Sequence, residues 1–292
     1  MIQQKLIGTG VALITPFYEN KSIDFTSLEK LINMHLNYTD YIVILGTTAE
    51  TSTLSFQEKK EIILFTTNIV NKKKPMVVGI GGNNTSQVIE EIQSLPLHNI
   101  DAILSVSPYY NKPSQTGIYT HYKTIASSTS LPIILYNVPS RTGKNIASET
   151  CLKLATDCKN IIGIKEASGD FEQAMQIIKN KPENFLVISG DDALSLPLIA
   201  CGMQGVISVI ANCFPEKFNQ LVKFALANNF VEANKIQHQL LAAYTLLFEE
   251  NNPAGVKAFM SLMGMIQNNL RLPLVPASNT LITKINTYLA NI

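Results

Sequence analysis

The chain is poor in the residues that would commit it to metal, disulfide or polyanion chemistry. Four cysteines in 292 residues, Cys151, Cys158, Cys201 and Cys213, form no CxxC pair, and four histidines are scattered. No zinc site and no disulfide framework follow from them, and reduced thiols in a cytosol fit this usage. Net charge is almost absent at +1, so no broad field draws the protein to nucleic acid or to an anionic membrane. The run Lys72, Lys73, Lys74 reads as a solvated helix end. No apolar run reaches the roughly 18 residues of a membrane span. The opening MIQQKLIGTGVALITPF has no basic start leading into an apolar signal core, and cytoplasmic residence is the expectation. Arginine is nearly missing as well: only Arg141 and Arg271 stand among a lysine majority, which gives weight to an arginine placed where a forked donor is useful.

What is present suffices for a large core, since 46% of the residues are hydrophobic and 15% charged. Eight short apolar runs closed by Gly, Pro, Asn or Asp occur in order: GVALITP (10–16), YIVILG (41–46), MVVGIG (76–81), AILSVSP (102–108), PIILYN (132–137), IIGIKEA (161–167), FLVISGD (185–191) and GVISVIAN (205–212). Segments with helical spacing lie between them, several opened by a capping residue such as Asp24, Ser55 or Ser148. Nearly continuous apolar strands alternating with helices imply a parallel sheet covered by helices, and eight units suit a closed (β/α)8 TIM barrel. An open doubly wound sheet is the other candidate, but no GxGxxG or GxxxxGK[ST] stands at a first strand-to-helix turn. After residue 213 the pattern is helical beyond what an eighth barrel helix requires. A barrel over residues 1–224 with an appended C-terminal helical region over 225–292 is expected, without a linker between them.

A barrel keeps its chemistry at the C-terminal ends of its strands. There the sequence places Thr47, Thr48 and Glu50 after strand two, Tyr109 and Tyr110 after strand four, Tyr136 with Arg141 just beyond strand five, Lys165 and Glu166 on strand six, and Asp191 and Asp192 after strand seven. One lysine, three tyrosines and two threonines are expected to converge on one mouth. Lys165 lies inside an apolar strand, where a costly buried ammonium favours the neutral amine that attacks a ketone; pairing with Glu166 at the rim is the alternative. The hydroxyls suit the proton relays that imine chemistry needs, although for each tyrosine alone packing or capping of a barrel layer is the commoner explanation. Arg141 presents a fork for a carboxylate, or is a solvated loop residue. Asp191-Asp192, with no histidine or third acid nearby, reads as a helix cap rather than a metal site, and no metal is assigned.

The strand ends GTTAETSTL (46–54), SPYYNKPSQTGIY (107–119), YNVPSRTG (136–143), GIKEASGD (163–170) and SGDD (189–192) resemble the dihydrodipicolinate synthase family. The resemblance runs from about residue 5 to the C-terminus. It implies condensation of pyruvate with aspartate-4-semialdehyde, with no metal or organic cofactor. It implies Lys165 as the Schiff-base lysine, Tyr136 as its acid and base, and Thr48 and Tyr110 completing a relay, Tyr110 from a neighbouring subunit of a homotetramer built from tight dimers. Thr47 would help bind the pyruvate carboxylate, Arg141 the carboxylate of the semialdehyde, and the backbones of Gly190 and Ile207 would line the pocket. Ala49 departs from the family's usual glycine, a strain of about 1 kcal/mol if that position needs a positive φ. Lysine-sensitive members hold free lysine at the tight-dimer interface, and the matching positions here include Thr51, Ser52, Phe56, Lys59, Asn83, Gln87 and Tyr109. Because Gln87 stands where a carboxylate is common and Lys59 adds a like charge, weak or absent inhibition is expected; Glu90 or Glu91, one turn on, is the alternative acid. N-acetylneuraminate lyases and 2-keto-3-deoxy sugar acid aldolases share barrel, lysine and tyrosine, but Arg141 and the GTT opening favour the synthase. A non-catalytic barrel would have lost the reactive set.

Overall fold

The computed structural model describes residues 1–292. Eight strands, β1 (Gly8–Ala12), β2 (Tyr41–Ile44), β3 (Met76–Gly79), β4 (Ala102–Val106), β5 (Ile133–Asn137), β6 (Ile161–Glu166), β7 (Leu186–Ser189) and β8 (Gly205–Ser208), close into one parallel barrel in sequence order. β8 returns to β1 through Gly8 to Val11 against Gly205 to Ser208. The alternation of side chains along each strand splits the apolar residues into two shells. Tyr41 and Val43, Ala102 and Leu104, Ile134 and Tyr136, Leu186 and Ile188 fill the barrel; Ile42 and Ile44, Met76 and Val78, Ile133 and Leu135 face the surrounding helices. Gly10 makes the inner packing feasible, because a Cβ there would lie 2.2 Å from the Tyr41 ring.

The expected helices form with mostly the expected caps. Asp24 accepts from the Ser27 amide ahead of Phe25–Tyr38, and Ser55 with Glu58 makes a capping box ahead of Phe56–Val70. Ser148 does not cap: it is the first residue of its helix, Ala147 occupies the cap position, and the Ser148 hydroxyl donates instead to Gln176. The first strand also differs from the run 10–16, beginning at Gly8 and ending at Ala12. Beyond Ala12 the Ile14 amide donates to the side chain of Asn212, 3.2 Å away, rather than to a strand neighbour. Residues 210–212 of the eighth run form a 3-10 turn.

Pro215–Leu226 packs on β1 and β8, and its last turn contains the 224/225 division expected from sequence. Phe230–Phe248, Ala254–Leu262 and Asn279–Leu289 follow. Leu240, Leu247, Phe259 and Leu281 join the same apolar cluster as Val11 and Val206 of the barrel, so the C-terminal helices and the barrel share a core. No helix is long and apolar enough to cross a membrane.

Candidate active site

At the C-terminal end of the barrel a cavity of about 730 Å3 is walled by Thr47, Thr48, Tyr136, Arg141, Lys165 and Gly190, among others. Lys165 reaches it through an irregularity in the sheet. The β5/β6 register runs from Ile133 opposite Ile161 to Ile134 opposite Gly163, skipping one residue of β6. Counted strictly from Ile161, which faces the helices, alternation would turn Ile164 inward and Lys165 outward. The extra residue resets the phase: Ile162 packs inside, Ile164 outside, and Lys165 enters the cavity opposite Tyr136. Its Nζ lies 4.3 Å from the centre of the Tyr136 ring, and only 5% of the residue is exposed.

Glu166, one residue on, faces away from the barrel interior. Its carboxylate accepts from Asn137 Nδ2 at 2.9 and 3.1 Å, from Gln173 Nε2 at 3.0 Å and from the Ser168 amide at 2.7 Å. It makes no ion pair with Lys165, and neither does any other acid. The pairing alternative therefore fails, and Lys165 stands without an ion-pair partner in a cavity whose wall mixes polar and apolar side chains. Gly190 keeps its path clear, since a Cβ there would lie 2.9 Å from Lys165 Cε and 2.6 Å from Ala167 Cβ.

Thr47 and Thr48 lie in a 3-10 turn, Thr47–Ala49, that follows β2. The left-handed residues around it are Leu45 and Glu50, each at φ 55°. Ala49 is not among the residues with positive φ, so the strain conditional on such an angle does not arise. Thr48 Oγ1 accepts from Asn252 Nδ2 at 2.9 Å. Arg141, in the short helix Pro139–Thr142, spends one Nη2 bond of 3.3 Å on the main-chain oxygen of Asn252, leaving donors of its fork for a ligand.

The expected convergence of three tyrosines is not observed within the chain. Of the three, Tyr136 alone shares the cavity wall with Lys165, where Tyr244 of Phe230–Phe248 joins it; Tyr110 is 89% exposed and Tyr109 walls a neighbouring cavity of about 270 Å3. The loop after β4 is drawn outward toward the loop after β3 by bonds between Asn83 Nδ2 and the Tyr109 carbonyl (3.1 Å) and between Asn111 Nδ2 and the Asn83 carbonyl (3.4 Å). Ile207 is not on the wall either: it is packed in the barrel interior, and Val209 beyond the end of β8 takes the wall position. Of the positions matched to a lysine effector, Thr51, Ser52, Lys59 and Tyr109 wall the smaller cavity, whereas Phe56, Asn83 and Gln87 do not.

Four features escaped the sequence reading. Neither aspartate caps the next helix, whose cap position is Leu194: Asp191 Oδ1 accepts from the Leu194 amide ahead of that helix, while Asp192 Oδ2 accepts from the amides of Val209 (3.0 Å) and Ile210 (2.7 Å) and staples the loops after β7 and β8 together. Burial pushes its carboxyl up to about 6. Glu50 forms a fully buried ion pair with Lys257 and accepts from the Arg271 amide at 3.0 Å. Arg271 makes a two-pronged pair with Glu58, at 2.5 and 2.9 Å. Asn252 contacts both Thr48 and Arg141. Lys257 had a usable signal, a lysine inside the apolar segment AGVKAFMSL, which is the pattern that singled out Lys165. No cluster of His, Cys, Asp and Glu suits a metal ion.

Residues 5–292 match the model of the dihydrodipicolinate synthetase family. The chain is 52% identical over 289 residues to the 4-hydroxy-tetrahydrodipicolinate synthase of Parabacteroides distasonis, covering 99% of this chain and 95% of that protein. It superposes on the dihydrodipicolinate synthase of Aquifex aeolicus with a TM-score of 0.94 at 39% identity, covering 98% and 97% of the two chains. It also superposes on the chloride-inhibited enzyme of Acinetobacter baumannii complexed with pyruvate, with a TM-score of 0.95 at 38% identity and 98% of each chain covered. With fold, strand-end motifs and near full-length identity in agreement, the chain belongs to the dihydrodipicolinate synthetase family.

Proposed function

We propose that the cavity holds pyruvate as an imine on Lys165 and condenses it with L-aspartate-4-semialdehyde to 4-hydroxy-tetrahydrodipicolinate, in diaminopimelate and lysine biosynthesis. The observation that carries this reading is Lys165 itself, a buried lysine without an ion-pair partner that stands beside Tyr136 in the cavity at the barrel mouth. The amine attacks the pyruvate ketone, and a proton supplied by Tyr136 lets the carbinol oxygen leave as water. Loss of a methyl proton from the imine gives an enamine, whose carbon attacks the aldehyde. The substrate's own amine then adds to the imine carbon, closing the ring and expelling the lysine. The imine is the electron sink throughout, so the sequence of steps calls for no metal or organic cofactor.

Thr48 relays protons to Tyr136, Thr47 holds the pyruvate carboxylate, and the free donors of Arg141 take the carboxylate of the semialdehyde. Tyr110, exposed on the loop after β4, completes the relay in the cavity of a second subunit, within a cytoplasmic homotetramer assembled from dimers. A sugar-acid aldolase would use the same lysine, but its polyhydroxylated aldehyde gives the Arg141 fork no carboxylate to hold. Borohydride reduction with pyruvate, followed by peptide mapping, is expected to place one adduct per chain on Lys165 and none in Lys165→Ala. Turnover of aspartate semialdehyde but not N-acetylmannosamine is expected alongside; an adduct on another residue, or the reverse aldehyde preference, overturns the reading.

A further inference from the structure

We infer that Asn252, on the connection between Phe230–Phe248 and Ala254–Leu262, is a positioning residue that sets the direction of the Thr48 hydroxyl. Its amide N–H donates to Thr48 Oγ1 at 2.9 Å. A threonine hydroxyl carries one proton and two acceptor lone pairs. With one lone pair taken by Asn252, the proton cannot point back at that amide and is left for the cavity that Thr48 shares with Tyr136 and Lys165. No protein group accepts from Thr48 Oγ1, whose one hydrogen bond is the one received from Asn252. The inference rests on the reading of Thr48 and Tyr136 as the groups that move protons to and from the imine.

Buried Asn212 and half-buried Asn160 show what a structural amide looks like in this protein. Asn212 accepts from the Ile14 amide and donates to the carbonyls of Ala12 and Val209. Asn160 donates to the carbonyls of Ala126, Thr129 and Leu131. Both tie backbone to backbone. The Asn252 side chain makes one hydrogen bond, to a hydroxyl on the cavity wall, and its Oδ1 is buried with no partner. A buried amide left half satisfied is costly; Asn219 also buries its Oδ1 without a partner, and what sets Asn252 apart is that its one bond goes to a hydroxyl on the cavity wall. The main-chain oxygen of Asn252 meanwhile accepts from Arg141, so one residue touches both the relay and the carboxylate donor.

Its placement is secured by a buried ion pair that is not part of the cavity wall. Glu50, directly after the Thr47–Ala49 turn, pairs with Lys257, one turn into the helix that begins two residues after Asn252. The turn that carries Thr48 and the segment that carries Asn252 are thus clamped together.

The discriminating variant is Asn252→Asp, which keeps size and shape but replaces the donor by a carboxylate that accepts from Thr48 and draws its proton away from Tyr136. The readout is the rate of imine formation with pyruvate alone, trapped by borohydride, so that the altered charge near Arg141 does not enter through the semialdehyde. The rate is expected to fall about a hundredfold, the lower end of what positioned proton transfer contributes, while pyruvate affinity stays near that of the parent and the melting temperature falls, because a carboxylate is buried there. Acidification should restore part of the loss, because the protonated carboxyl is again a donor. Asn252→Ala, which frees the hydroxyl without reversing it, is expected to lose less than Asn252→Asp. A rate within threefold of the parent in Asn252→Asp, a loss that does not ease on acidification, or a larger loss in Asn252→Ala overturns the inference. Absence of a Lys165 adduct in the parent would instead overturn the imine mechanism.

Discussion

At the residue scale, the donors that a side chain keeps free decide what it can hold. Arg141 stood out as one of two arginines, and its geometry sharpens the expectation. It spends one donor on Asn252, and lysine in its place would keep the charge but lose the fork. Arg141→Lys is therefore expected to raise KM for the semialdehyde about tenfold to a hundredfold, the worth of one charge-assisted hydrogen bond, and to leave pyruvate trapping intact; equal losses for both substrates would place Arg141 on the pyruvate side. Asp192 was misread as a cap because its partners, the amides of Val209 and Ile210, lie 17 and 18 residues on. Its carboxyl rises from 3.8 to about 6, chiefly through burial. The unfolded chain then releases this proton first as pH rises, so stability present below about 4 is lost progressively as pH passes through 6. Asp192→Asn keeps an oxygen for the two amides and has nothing to ionise. Urea unfolding should find the parent losing on the order of 2 kcal/mol relative to Asp192→Asn between pH 4 and pH 7; parallel pH profiles would show that Asp192 does not titrate in this range.

At the scale of elements, periodicity located all eight strands and the helices between them, because a strand buried on both faces must be apolar along its length. It could not locate the skipped residue on β6. IIGIKEA reads as a plain apolar run, and only the pairing of Ile134 with Gly163 shows that the phase slips and turns Lys165 inward. The C-terminal helices were visible as helices, but not as suppliers of site residues, since that depends on Lys257 finding Glu50 across 207 positions. Burial outweighs the attraction of Glu50 and holds the Lys257 ammonium at about 8. Removing one partner of such a pair leaves a buried charge uncompensated, which costs about 3–5 kcal/mol, whereas apolar replacement of a whole pair is often neutral. Lys257→Met is thus expected to lower the melting temperature sharply and to slow catalysis by loosening the turn that holds Thr47 and Thr48. Adding Glu50→Gln to that variant should recover much of the stability. If thermal unfolding shows the double variant no better than Lys257→Met, the pair does not act as a unit.

At the scale of the whole molecule, Tyr110 projects from the loop after β4 and is off the wall of the cavity that holds Lys165. If a second subunit supplies it, mixing Tyr110→Phe chains with Lys165→Ala chains should regenerate some activity that neither parent has; verified mixed oligomers without activity would end the shared-site reading. The smaller cavity shares Thr47, Tyr136 and Arg141 with the larger one, so an occupant there would touch residues of the site. Sequence alone left two acids, Glu90 and Glu91, as substitutes for the carboxylate missing at Gln87. Glu91 is the one on the cavity wall, but Lys59 already holds it at 2.7 Å. Free lysine would have to break that half-buried pair and then sit beside the displaced ammonium, in a cleft where screening is weaker than in bulk water. Half-inhibition by lysine is therefore expected above about 1 mM, a binding free energy weaker than about −4 kcal/mol. Lys59→Met removes the internal competitor and uncovers Glu91, so its sensitivity should rise about tenfold or more, the gain of one charge-assisted bond. Lysine titrations of initial rates for the two proteins decide the matter. Half-inhibition of the parent well below millimolar would show that the pair does not block the cavity, and an unchanged response in Lys59→Met would show that Glu91 is not the acid a cationic effector needs.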